Sequence, residues 1–184
     1  MSEPPRDLAA AVAAEEAGTP LKFLHFWGHT PSADGTVTAA CLSQWWPALF
    51  TVDGVGYKTC EHYMMASKAN LFDHTEMVAK ILDAKHPHTA KRLGRQVLDF
   101  KHDRWEAERF EIVVAANVAK FEQHDDLREF LLGTRNRVLV EASPKDRIWG
   151  IGLERNDPRA KMPSRWRGLN LLGFALMEAR ERLS

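Results

Sequence analysis

Hydrophobic and polar positions change period along the chain, and the changes mark its elements. The run LKFLHFW, Leu21 to Trp27, is apolar and aromatic and predicts a strand. Gly28 to Thr38 carries Pro31, Asp34 and Gly35 and reads as a loop or hairpin tip. In FTVDGVGYKT, Phe50 to Thr59, Asp53-Gly54 sits between two short β-prone runs and predicts a hairpin. A helical half follows. Cys60 to Phe72 has helix-forming composition. Asp73 with Glu76 resembles a capping box opening HTEMVAKILDAK, and Pro87 opens HTAKRLGRQV from the first turn. Asp103 with Glu106 suggests a second cap, starting the longest helix, Arg104 to Gln123. There Phe110, Val113, Val114, Val118 and Phe121 recur at helical spacing. Asp125 to Leu132 predicts a short helix stopped by Gly133, and Arg137 to Ser143 a strand. Pro144 to Trp166 reads as a long loop, and Leu169 to Leu183 as a final amphipathic helix. The pattern predicts an α+β fold: a mostly helical single domain over residues 21–184, with a small antiparallel sheet. Residues 1–20, rich in Pro, Ala and Glu, read as a loose leader with a short frayed helix.

Composition narrows the function classes. The chain has 184 residues, 45% hydrophobic and 27% charged, which is globular composition. Lys and Arg number 25 and Asp and Glu number 25, so the net charge is zero. Binding to nucleic acid or an acidic membrane by gross charge is thereby excluded, while a local basic patch is not. Two cysteines, Cys41 and Cys60, are too few for a disulfide scaffold. No apolar run is long enough for a membrane span, and the N-terminus lacks the pattern of a secretory signal. A cytoplasmic protein without membrane partners is expected.

Candidate chemistry gathers in two places. Glu61 opens the helix after the hairpin, where the helix dipole favours a carboxylate by about 0.3–1 kcal/mol. It serves there as a cap or as an acid. Lys68 follows two turns later on nearly the same face. The two can form a salt bridge, or an acid and a nucleophile, since a lysine shielded from water attacks a sugar aldehyde as a free amine. The second place is the loop EASPKDRIWGIGLERNDPRAKMPSRWRG, with Asp146, Trp149, Trp166, Arg165 and Arg167. Indoles stack on bases or cap sugars and arginines grip phosphates, yet both tryptophans can equally anchor a core. Lys91, Arg92 and Arg95 form a basic helix face, solvated or in contact with phosphate. Cys60-Glu61-His62 and His86-Pro87-His88 make no zinc-finger pattern, and Gly150-Ile-Gly152 is no dinucleotide fingerprint.

The blocks FWGH, FTVDGVGYKTCEHYMMASKA, AKRLGRQV, RWEAERFEIVVAANVAKFEQHDDLREFLL, LVEASPKDRIWGIGL and WRGLNLLGFALMEARERL together resemble the NADAR family, in its YbiA-like branch. The resemblance spans roughly residues 22–183 in the family's order. It implies the YbiA-like fold and an N-glycosidase without metal or organic cofactor. The implied substrate is a small ribosylated nucleotide. In one branch it is a phosphorylated ribosylamino-pyrimidinone of the riboflavin pathway, cleaved to ribose 5-phosphate. In another it is ADP-ribosylated guanine in DNA or RNA, releasing ADP-ribose. The resemblance implies catalytic roles for Glu61, Lys68 and Asp146, with Lys68 forming a sugar imine. It assigns Trp105 and Trp149 to substrate binding, Asn170 is a further substrate-binding candidate, and charge type adds Arg92 and Arg95 for phosphate. One departure is visible: where family members commonly carry Ser-Asn-Phe, this chain has Ser43-Gln44-Trp45-Trp46. A non-catalytic module binding NAD or ADP-ribose is the alternative reading.

Overall fold

A computed structural model describes residues 3–184. The chain divides into two units, one contiguous over residues 44–125 and one built from the segments on either side, residues 1–43 and 126–184.

The contiguous unit starts with the hairpin of β2 (Phe50–Val52) and β3 (Val55–Tyr57), paired antiparallel with Phe50 opposite Tyr57. Asp53 and Gly54 turn it at φ 50° and 78°, the left-handed pair that a tight hairpin needs. Phe50 stacks on Tyr57, and Tyr57 meets Tyr63 edge-on at 4.9 Å, which ties the hairpin to α2 (Cys60–Leu71). Thr59 caps α2, its hydroxyl accepting from the His62 N–H. Then come α3 (Thr75–Asp83), α4 (Pro87–Gly94, with Pro87 at its start) and the long α5 (His102–Glu122), with α2 in contact with all three. Both capping expectations need correction. Asp73 ends α2 instead of starting α3: it sits at φ 55°, and the N–H groups of Asp73 and His74 close back on the Asn70 and Ala69 carbonyls. Asp103 lies inside the first turn of α5, preceded by Lys101, whose side chain makes no capping bond. A carboxylate there is favoured by the helix dipole without capping.

The two-segment unit is organised on β1 (Phe23–Phe26) and β4 (Val138–Glu141). They pair parallel, Phe23 beside Val138 and Phe26 beside Glu141. The small antiparallel sheet is therefore the β2–β3 hairpin, and the second two-stranded sheet is parallel. Val138, Leu139 and Val140 are all buried, the run of a strand covered on both faces. Helix α7 (Leu171–Arg182) packs on β4, and α6 (Asp125–Gly133) precedes it. Gly173 permits the contact, since a Cβ there would lie 2.0 Å from the Leu139 carbonyl oxygen. In the segment expected to be a loose leader, α1 (Leu8–Glu16) is capped by Asp7 and buries Ala11. Its Glu15 accepts from the Ser164 N–H at 2.9 Å, and Arg6 pairs with Glu181 at 2.8 Å. Among the described residues no helix is long and apolar enough to cross a membrane.

Candidate active site

Lys68 lies in the last turn of α2, half-buried. Its ammonium donates to the Gly94 carbonyl at 2.9 Å and lies over the Phe100 ring at 4.2 Å, with the Trp105 ring at 5.6 Å. Trp105, on the first turns of α5, is buried; Phe100, just before that helix, is 40% exposed and packs on Phe72. Gly94 makes the carbonyl contact possible, because a Cβ on it would fall 2.1 Å from the Met65 sulfur and hold α4 off α2. Burial lowers the Lys68 pKa from the usual lysine range, and the nearby Arg95 charge lowers it further. No carboxylate among the described residues pairs with Lys68. The salt bridge with Glu61 considered from the sequence does not form. Seven helical residues separate their backbones by about 10 Å, and the lysine reaches toward α4 and α5.

Glu61 occupies the first turn of α2 and is 2% exposed. Its N–H donates to the Gln44 carbonyl at 3.0 Å. The Gln44 side chain accepts from Asn117 Nδ2 at 3.0 Å, and the same Nδ2 donates to the Val113 carbonyl at 2.8 Å. Lys120, on the next turn of α5, is fully buried. The Cys60 thiol is pushed up by burial, pulled down by Lys120 and pushed up by Glu61, so both charges act on it. Cys60 is a buried core residue. His62 turns inward too: its Nε2 faces the Ala84 carbonyl at 3.1 Å and its Nδ1 the Thr59 hydroxyl at 2.8 Å. Burial holds its pKa below the usual histidine value.

Arg92 and Arg95 line a cavity of about 310 Å³ together with Trp45, His88 and Lys91. The Lys91 ammonium is 5.8 Å from the Trp45 ring centroid, and His88 meets that ring edge-on at 6.3 Å. The 44–125 unit thus brings Lys68 near Trp105 and Arg95, with Arg92 beside Arg95 in the cavity and Glu61 buried two turns up the lysine's helix.

Asp146, Trp149 and Asn170 belong to the other unit. Asp146 Oδ1 accepts from the N–H groups of Ile148 at 2.9 Å and Trp149 at 2.8 Å, which folds the loop into a tight turn. Trp149 is partly buried, and its carbonyl accepts from the Leu172 N–H at the start of α7. Asn170 is fully buried at φ 54°. Its Oδ1 accepts from the Glu141 N–H at 3.0 Å and its Nδ2 donates to the Leu139 carbonyl at 2.9 Å, so its amide is spent on β4. Trp166 donates to the Ala160 carbonyl at 3.0 Å, the anchoring role open to it from the sequence.

Residues 25–184 match the NADAR domain. The chain belongs to the NADAR family. The mimiviral N-glycosidase R617 (Acanthamoeba polyphaga mimivirus) is 39% identical over 165 residues, 87% of this chain and 95% of that protein. Escherichia coli N-glycosidase YbiA is 34% identical over 139 residues, 76% of this chain and 77% of that one. The NMR structure of E. coli YbiA superposes with a TM-score of 0.67 at 31% identity, covering 88% of this chain and 84% of that one. The α+β architecture is thus the YbiA fold, and this NADAR chain is an enzyme, a hydrolase of the N-glycosidase class. Sequence reasoning missed Phe100 and the buried Asn117–Lys120 turn. An aromatic residue just ahead of a helix start was the available signal for Phe100; for Lys120 there was none, since a lysine in a helix reads as solvated.

Proposed function

We propose that the chain hydrolyses the N-glycosyl bond of a ribosylated amine or base, with Lys68 attacking the sugar. One observation carries the reading: a half-buried lysine held by a carbonyl and two aromatic rings, beside the Arg95 charge and without a carboxylate partner. Of these, burial and the Arg95 charge favour the neutral, nucleophilic amine. A ribosylamine opens to an iminium at the anomeric carbon. The Lys68 amine adds to that carbon, and a proton passes from its nitrogen to the substrate nitrogen. The substrate amine then leaves, and Lys68 remains joined to the sugar as an imine. Water adds to the imine and expels Lys68, freeing the sugar and consuming one water in all.

Glu61 supplies negative charge toward the cationic carbon or acts in proton transfer. Trp105 or Trp149 stacks on the base, Asp146 bonds to the base or a ribose hydroxyl, and Arg92, Arg95 or Arg165 holds phosphate. The catalytic domain spans residues 21–184 and works in the cytoplasm. Two substrates suit this chemistry: phosphorylated ribosylamino-pyrimidinones, releasing ribose 5-phosphate, and ADP-ribosylated guanine in DNA or RNA, releasing ADP-ribose. The N-glycosidase names of R617 and YbiA support the bond class.

Mass spectrometry of both substrates side by side, with and without borohydride, tests the reading. Sugar release and a reduced sugar adduct on Lys68 are expected, and Lys68→Ala should lower turnover by at least about a hundredfold. Turnover without an adduct removes the imine step. No release from either substrate, with ADP-ribose still bound, replaces the enzyme by a binding module.

A further inference from the structure

Some contacts of the Lys68 nitrogen do nothing to free it of its proton. The Gly94 carbonyl accepts from it at 2.9 Å, and the Phe100 ring faces it at 4.2 Å, nearer than Trp105 at 5.6 Å. A carbonyl oxygen and an aromatic face both favour a cation at that point. An attacking amine is neutral, so these groups serve another stage of the reaction.

Phe100 is fixed for this contact. Asp99, just before it, turns the backbone at φ 52°, and the Leu98 N–H donates to His74 Nδ1 at 3.2 Å. Phe72 packs on the ring at 5.2 Å, and His102 meets it edge-on at 6.3 Å. The ionisable groups around the pair are Arg95 after α4, Arg104 over Phe72 at 5.7 Å, His74, and His102 with its partner Glu106. None of them is a carboxylate paired with Lys68.

The imine step brings positive charge to this nitrogen. The departing substrate amine takes the electron pair of its bond to the anomeric carbon and keeps the proton it received. The Lys68 lone pair forms the C=N bond. Charge thereby passes from the substrate nitrogen to the Lys68 nitrogen, which retains one N–H. Resting on the imine reading, we propose that Phe100 is a catalytic residue whose ring face stabilises the protonated imine on Lys68, with the Gly94 carbonyl accepting its N–H. A carboxylate here would also hold the resting lysine protonated. A ring face attracts a cation more weakly, so burial and Arg95 still act on the resting amine.

Fluorination of the ring tests this, because it drains the ring face and nearly keeps its shape. Monofluoro- and trifluorophenylalanine replace Phe100 in the full chain. Two quantities are read: the titration of the Lys68 amine by NMR, assigned with Lys68→Arg, and the adduct that ribose 5-phosphate leaves on Lys68 under cyanoborohydride. Each fluorination step should move the titration to lower pH, leaving more free amine. The adduct should nevertheless fall, by about threefold to tenfold with the trifluoro ring. A ring that only packs would move neither. An unmoved titration overturns the proposal, as does an adduct that rises with the free amine. In both cases a native adduct leaves the imine reading standing. No adduct on the native protein removes the imine reading and this proposal with it.

Discussion

At the scale of single residues, the environment of Lys68 sets its chemistry. Its amine is raised in reactivity by two separate causes, burial and the Arg95 charge. The sign follows directly. A lowered lysine pKa means that the neutral amine appears at lower pH than for a free lysine, so kcat/KM should rise with pH through that lowered value. Arg95→Gln removes one of the two causes, so the limb should move to higher pH. The position of the limb is the readout, since its height also reflects phosphate binding. An unmoved limb with lowered height would confine Arg95 to phosphate. Asn170 illustrates the opposite kind of residue. Asn170→Ala should destabilise the protein by about 2–4 kcal/mol, because it leaves a buried N–H and a buried carbonyl on β4 without partners. Alanine keeps a β-carbon in left-handed backbone, which glycine there does without, a difference of about 1–2 kcal/mol. Asn170→Gly should cost less than Asn170→Ala by that second amount in urea denaturation, and equal costs would disprove the backbone contribution.

At the scale of elements, local chemistry was legible wherever it was self-sufficient. The Asp53-Gly54 turn, the Pro87 helix start and the closing helix need only their own residues, and each stands where the pattern predicts it. The two capping expectations failed because a short acidic residue is suited both to beginning a helix and to ending one. At Asp73 the preceding helix took it, as the bonds from Asp73 and His74 back to Asn70 and Ala69 record. The parallel β1–β4 pair was not legible, since its partners are separated by more than a hundred residues and periodicity carries no pairing information. The site divides the same way. Glu61 and Lys68 were singled out by type and spacing and Trp105 by the family resemblance, whereas Phe100 and the Gln44–Asn117 bond exist only through packing.

At the scale of the whole molecule, two imidazoles, His25 part-buried and His62 buried, make stability depend on pH. His25, in the two-segment unit, faces the Ala160 carbonyl at 3.1 Å, and His62, in the other, faces that of Ala84. Burial lowers the pKa of both. The unfolded chain therefore binds protons more readily than the folded one as pH falls below about 6.5. Stability should be fully present above that value and decline as pH drops through the lowered folded values. Thermal melts between pH 7.5 and about 5 check this, and His62→Gln, which can still donate to the Ala84 carbonyl, should flatten the profile. A melting temperature constant across that window would disprove it.

The strand pairing has a consequence for how the protein is made. Synthesis proceeds from the N-terminus, so β1 leaves the ribosome long before its parallel partner exists. Everything from Gln44 to Asp125 must emerge in between. That stretch carries its own hairpin and four helices and can condense while translation continues. Until Val138 to Glu141 arrive, FLHF is an aromatic strand with an open edge. While those more than a hundred residues are made, this segment is the nascent chain's point of exposure to misassociation and to chaperones.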